Sequence, residues 1–168
     1  MRKGGRHTVE IQQTGELLVA SELARREFLA TTFGQHIPKF DLLAVDKNLR
    51  TIPCQVKSCQ AGGSWQSTQT KWMSVKHEPK THRQIIKPLR RIENPDLIFV
   101  LVEVGETYGK DRFFILTKKQ LAERYYSTCY AWMKGHDFLR PKKWDSLHCS
   151  LRPSQVEEYE NNWELFKK

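Results

Sequence analysis

Long apolar runs are missing from this chain. No stretch approaches the roughly 18 to 20 consecutive apolar residues that a membrane-spanning helix needs. The basic opening Met1-Arg-Lys-Gly-Gly-Arg6 is not followed by the apolar core of a secretion signal, so a cytoplasmic protein is expected. Cysteine is sparse, at positions 54, 59, 129 and 149 only, with no C-x-x-C pair and no zinc spacing. That pattern points to buried or free thiols, without disulfides or structural zinc. No internal repeat and no low-complexity tract occurs. Acid is the other shortage: 28 Lys and Arg against 19 Asp and Glu leave a formal charge of +9, the sign that draws a polyanion. At 168 residues and 39% hydrophobic content the chain supports one domain, residues 1–168, with positions 1–8 as a loose basic arm.

The most informative stretch is Asp41-Leu-Leu-Ala-Val-Asp46 followed by Ile52-Pro-Cys-Gln-Val-Lys57. Phe40 to Asp46 and Thr51 to Lys57 are rich in apolar and β-branched residues and flank the polar Lys47-Asn48-Leu49-Arg50, which predicts an antiparallel hairpin. Side chains alternate along a strand, so Ile52, Cys54 and Val56 share one face while Gln55 and Lys57 share the other. Burying both apolar sets together requires Leu42 to oppose Cys54 or Val56, which an odd-length loop or a bulge delivers. That register sets Asp41 beside Gln55 and Lys57.

An acid, an amide and a lysine so arranged suit a hard cation. Magnesium takes oxygen ligands and keeps several waters, so one or two carboxylates and a substrate phosphate complete its shell. Asp41 is the central candidate ligand and Gln55 lends only a neutral oxygen, which leaves the set one charge short unless another acid joins. Glu16 is the natural third member. Residues 9–28 read as a helix, with Leu17, Ala20, Leu23, Ala24 and Phe28 at near-helical spacing and Glu16 bordering that stripe. Lys57 can orient or activate an attacking water, or offset charge that builds on a phosphoryl group. Plainer roles stand beside these. Glu16 as favourable charge at a helix N-terminus, Glu22 as a rival ligand, Gln55 as a structural amide and Ser58 as a strand-end polar residue all fit the same pattern.

These residues resemble the PD-(D/E)XK nucleases, whose core carries an acid on one strand and acid-x-Lys on the next, here Asp41 and Gln55-x-Lys57. The helix beginning Gly15-Glu16 is similar to that family's first helix, where a glutamate often joins the metal shell. Phe40 stands where the family commonly has proline and Gln55 where it has the second acid. The nearest pattern is the Gln-x-Lys branch of homing-endonuclease-like and restriction-endonuclease-like members. The resemblance covers residues 15–60 by motif and the remainder by order of elements. It implies an α/β fold with a restriction-endonuclease-like mixed β-sheet flanked by helices. It also implies Glu16, Asp41 and Gln55 around Mg2+ or Mn2+, and hydrolysis of DNA phosphodiester bonds. Cutting both strands of a duplex from one site per chain implies a homodimer.

Further along, Gln66 to Val75 reads as a third strand carrying Trp72, and residues 76–95 as a polar segment with a short helix over Arg83 to Lys87 or a long loop. Asp96 to Val104 reads as a buried central strand and Arg112 to Leu116 as its neighbour. Thr117-Lys-Lys-Gln120 matches a capping box opening a helix. A second box at Ser154 to Glu157 predicts a C-terminal helix with Val156, Tyr159, Trp163 and Phe166 as a core stripe. Lys71, Lys76, Lys80, Arg83, Lys87, Arg90 and Arg91 concentrate positive charge and form the candidate phosphate-contact segment, giving salt-sensitive affinity independent of sequence. His77 and His82, five apart, read as polar surface rather than metal ligands. Pro141-Lys-Lys-Trp144 could touch a backbone or stack on a base, although Trp144 reads more readily as core. The alternative function is a noncatalytic nucleic-acid-binding protein that keeps the fold while Gln55 has cost it metal, with RNA as another possible partner.

Overall fold

The computed structural model describes residues 6–33, 39–89 and 91–168, so Arg90 and positions 1–5 of the expected basic arm lie outside the described residues. In chain order the elements are α1 (Arg6–Ala24), β1 (Leu29–Thr32), β2 (Leu42–Val45), β3 (Thr51–Gln60), β4 (Trp65–Thr68), β5 (Met73–His77), β6 (Gln84–Pro88), β7 (Ile98–Val104), β8 (Arg112–Thr117), α2 (Lys118–Lys134) and β9 (His148–Leu151). A five-stranded sheet runs β1-β2-β3-β7-β8, with β3 and β7 parallel and the other neighbours antiparallel, so the expected mixed α/β sheet is observed. Two further two-stranded ribbons, β4 with β9 and β5 with β6, stand apart from it.

β7 is buried along nearly its whole length, and its alternation sorts the interior into two layers. Val100 and Val102 join Val19 and Leu23 of α1 on one face, with Val56, Ile115, Trp163 and Phe166. Phe99 and Leu101 join Leu121 and Tyr125 of α2 on the other, with Trp65, Trp72 and Phe114. The Thr117 capping box forms as predicted: its hydroxyl accepts from the Gln120 amide and the Gln120 side chain accepts from the Thr117 amide.

Several expectations are corrected. α1 starts at Arg6, inside the expected arm, and ends at Ala24. Its buried line is Gly15, Val19 and Leu23, while Leu17 is 56% exposed. A glycine at that seam rotates the helix onto its smallest side, which an apolar count overlooks. The strand expected over Gln66 to Val75 is split by a 3-10 turn, Gln69–Lys71, that turns the chain from β4 into β5. Arg83 to Lys87 is largely strand, since β6 pairs antiparallel with β5. After Pro153 there is no α-helix; three short 3-10 turns follow, and Val156, Trp163 and Phe166 are nevertheless buried. Asn161, at positive φ, interrupts the helical spacing there. All four cysteines are buried free thiols. No helix among the described residues is long and apolar enough to cross a membrane.

Candidate active site

The hairpin has the register that burial requires: Leu42 opposes Cys54 and Val45 opposes Thr51, leaving an odd-length loop of Asp46 to Arg50. The Asp46 carboxylate closes that loop by accepting from the Asn48 and Arg50 amides, both at 2.9 Å. These amide bonds, led by the one from Arg50, hold its carboxyl below the usual carboxylate range.

β2 pairs with β3 only as far as Leu42 and Cys54, whereas β7 follows β3 through to Gln60. One edge of β3 is therefore open from Gln55 onward, and an unpaired peptide edge needs other partners. Two side chains supply them at Val56. Asp41, whose own amide donates to the Cys54 carbonyl at 3.0 Å, accepts the Val56 N–H on Oδ2 at 2.9 Å. From α1, Gln12 Nε2 donates to the Val56 carbonyl at 3.0 Å and to Glu16 Oε1 at 3.0 Å. Glu16 thus reaches the strand through Gln12, while Asp41 touches it directly. Each carboxylate keeps its second oxygen without a protein donor among the described residues, and so does the Gln55 amide. All three residues are half-buried.

Side-chain alternation turns Val56 and Ser58 toward α1 and Gln55 and Lys57 toward the opposite face, so the candidate residues are divided between the two faces at the open edge. Burial holds the Lys57 ammonium below the ordinary lysine range, the charge of Lys71 lowers it further, and Asp41 opposes both. Lys57 faces a cavity of about 300 Å3 that Gln12, Ser58, Gln60 and Gln66 also line. Glu16 bonds the lining residue Gln12 and Asp41 acts on Lys57 through its charge, but neither they nor Gln55 line this cavity. Ser58 hydrogen-bonds nothing among the described residues; its hydroxyl is buried. Glu22, the rival candidate, pairs with Arg25 at 3.5 Å and Arg26 at 2.5 Å.

The basic segment divides in two. Lys71 sits on the 3-10 turn, where its charge acts on Lys57. Lys76 and Lys87 lie on the exposed face of the β5–β6 ribbon, diagonal across the Ser74–Lys87 and Lys76–Ile85 pairs, with Lys80 and Arg83 in its connecting turn. Arg91 is exposed beyond β6. A buried amide pair anchors the ribbon: Gln69 Nε2 donates to Gln84 Oε1 at 3.2 Å, and Gln84 Nε2 donates to the Ser146 carbonyl at 2.9 Å. Trp144 is not core. It is 44% exposed and packs on both His77 and His82 at the end of the ribbon.

Sequence reasoning missed Gln12 and Gly15. The signal for Gly15 was present, since a glycine in a helix interior costs about 1 kcal/mol against alanine and so asks for a reason. A Cβ there would stand 1.9 Å from Ser58 Oγ and 2.9 Å from Ser58 Cβ. Only glycine lets α1 approach β3 closely enough for Gln12 to reach Val56.

Among the described residues no group of three or more histidine, cysteine or acidic side chains is arranged to hold a metal. By donor type, two carboxylates and a neutral amide, each with an oxygen left open, are the kind of ligand that a hard, partly hydrated cation takes. Compared with known proteins, the chain matches no family model and no curated protein. Among solved structures it is similar to that of a bacterial homing endonuclease, I-Ssp6803I, with 12% sequence identity, a TM-score of 0.51, and 96% of this chain covering 93% of that one. The chain therefore has a nuclease-like α/β fold.

Proposed function

We propose that this protein is a metal-dependent endonuclease that hydrolyses DNA phosphodiester bonds, of the Gln-x-Lys branch of the PD-(D/E)XK nucleases. The observation that carries this reading is the Val56 peptide group, bound on one side by Asp41 and on the other by Gln12, which holds Glu16. One strand position thereby ties two acids to the strand that carries Lys57. The likeness in fold to a homing endonuclease supports the same reading.

Glu16, Asp41 and Gln55 would hold Mg2+ or Mn2+, which when bound supplies Lewis-acid polarisation of a phosphoryl oxygen. The chain's own residues supply the rest. Lys57 orients a water by hydrogen bonding, and its lowered proton affinity suits it to exchange a proton with that water. Lys71 adds positive charge where negative charge gathers on the phosphate. The ribbon lysines and Arg83, with Arg91, contact the duplex backbone and guide it to the cleft. Cleavage of both strands calls for two copies in a homodimer, acting in the cytoplasm.

Supercoiled plasmid is incubated with protein and Mg2+, Mn2+ or chelator. The expected result is metal-dependent nicking, reduced by about 100-fold or more in Asp41→Asn and Lys57→Ala with DNA binding retained. A protein that shifts DNA in a gel without metal and never cuts it would instead be a noncatalytic binder, and a preference for RNA in the same panel would reassign the substrate.

A further inference from the structure

Beyond the β4–β9 ribbon lies a second concavity of about 740 Å3, between α2 and β9. Thr128, Trp132, Arg140, His148, Ser150 and Arg152 line it, and no carboxylate does. Arg140 is the informative residue. Its Nη2 donates to the His148 carbonyl at 2.6 Å, and its guanidinium lies 5.4 Å from the Trp132 ring centre. Its Nε is buried without a hydrogen-bond partner among the described residues. No acid pairs with Arg140 or Arg152 among the described residues, unlike Arg112, which two glutamates hold. Burial lowers the proton affinity of Arg140, the sign of a cation short of solvent. A half-buried guanidinium kept unpaired, yet fixed in place by a carbonyl and an aromatic ring, is set up for an anion that arrives from outside.

The pocket adjoins the cleft. Gln66, which lines the Lys57 cavity, accepts a hydrogen bond from the ring of His148, which lines this one. Gln66 lies on β4 and His148 on its partner β9, neighbouring strands about 5 Å apart.

We propose that this pocket binds one nucleotide through its phosphate, held by Arg140 and Arg152 with the Thr128 and Ser150 hydroxyls, and that in function the nucleotide belongs to the DNA strand leaving the cleft. This rests on the nuclease reading for the identity of the strand. The volume exceeds what a bare phosphate fills and suits a nucleotide-sized group. The pocket therefore adds a contact flanking the scissile bond, independent of the β5–β6 ribbon.

The test titrates the full chain, without metal, with dAMP, deoxyadenosine and inorganic phosphate by calorimetry, and then adds a short single-stranded oligonucleotide as competitor. The expected result is saturable dAMP binding at least about tenfold tighter than that of deoxyadenosine, weakened about tenfold by Arg140→Gln and by Arg152→Gln. Arg152 is exposed, so Arg152→Gln keeps the test meaningful if Arg140→Gln fails to fold. Displacement of dAMP by the oligonucleotide supports the strand as source; binding of dAMP without displacement overturns that assignment in favour of a free nucleotide. Absence of saturable dAMP binding in the millimolar range, or equal binding by Arg152→Gln, overturns the pocket. Plasmid nicking is scored separately: a protein that nicks but does not bind dAMP refutes the pocket alone, and one that binds dAMP but never nicks refutes the nuclease alone.

Discussion

Replacing Gly15 by alanine tests whether the close approach of α1 to β3 sets the site. The added Cβ would stand 2.9 Å from Ser58 Cβ, so reaching the ordinary 3.4–4 Å contact requires α1 to retreat by about 0.5–1.1 Å. Rotating Ser58 Oγ away does not relieve the Cβ contact. Two effects of opposite sign compete. Alanine gains about 1 kcal/mol of helix propensity, while forcing atoms into a packed seam costs about 1–3 kcal/mol. Net destabilisation of up to about 2 kcal/mol is expected, with the larger consequence in function. A shift of about 1 Å in Gln12 and Glu16 is enough to lower cleavage by about 100-fold. Ser58→Gly removes both atoms in the way, so the Gly15→Ala/Ser58→Gly pair should recover stability and cleavage, with a coupling of about 1–2 kcal/mol. Urea denaturation of the four proteins, with plasmid nicking on each, supplies the cycle. If Gly15→Ala were more stable than the native chain by the full helix-propensity gain, with no coupling to Ser58, the seam would not position anything.

On the ribbon, Lys76→Ala and Lys87→Ala should each lower the slope of log affinity against log salt by about one, because each lysine releases about one counterion from the duplex; unchanged slopes would move the DNA off this face. Lys71→Met should raise the Lys57 titration midpoint toward the ordinary lysine range, read by NMR of the lysine side chain, and a midpoint that stays put refutes the coupling. Because the folded state disfavours charged Lys57, stability should rise as pH climbs through its folded midpoint toward the ordinary value of 10.5, and Lys57→Met should remove that rise. Glu160 has the opposite sign. Its bond from Arg112 lowers its pKa below the ordinary 4.5, so its contribution is complete above that value and disappears as acid titrates it, and Glu160→Gln should flatten that acid limb. With side-chain exposures of 37% for Arg112 and 31% for Glu160, solvent screening limits the loss to about 1 kcal/mol in thermal melts above pH 5.

How much was legible in the sequence follows from how local each signal is. The hairpin register was readable to within two alternatives, because a strand's period of two buries Leu42, Ala44, Cys54 and Val56 together only when Leu42 faces Cys54 or Val56. The Thr117 capping box was readable because it spans four residues and satisfies its own amides. The identical pattern at Ser154 misled, since Pro153 and the positive φ at Asn161 break the chain into 3-10 turns that bury the same aromatic residues without a helix. β5 and β6 were hidden because an isolated ribbon with one solvated face carries few apolar residues, and its anchor, the Gln69–Gln84 pair, is polar and long-range. Gln12 was invisible for a similar reason: its role depends on the tertiary approach of α1 to Val56, 44 residues away.

The open edge of β3 joins folding to chemistry. A strand that loses its neighbour midway leaves a peptide N–H and C=O that must be satisfied if they are not to face solvent or another chain. Satisfying them with ordinary polar side chains would serve the fold equally well. Here the N–H is taken by an aspartate and the C=O by a glutamine that also holds a glutamate, so the bonds that close the edge restrict the motion of two acids. A carboxylate that accepts one peptide hydrogen bond on one oxygen loses rotational freedom while its other oxygen stays available, which is the condition a preorganised site requires. The same argument accounts for Gln55. It precedes Val56 on β3, and its amide makes no bond among the described residues, so the bonds that close the edge leave its side chain free to turn. If the edge served stability alone, removing the charge of Asp41 while retaining its hydrogen bond to Val56 would leave the protein unchanged in every respect; if it serves chemistry, Asp41→Asn keeps the fold and loses the reaction.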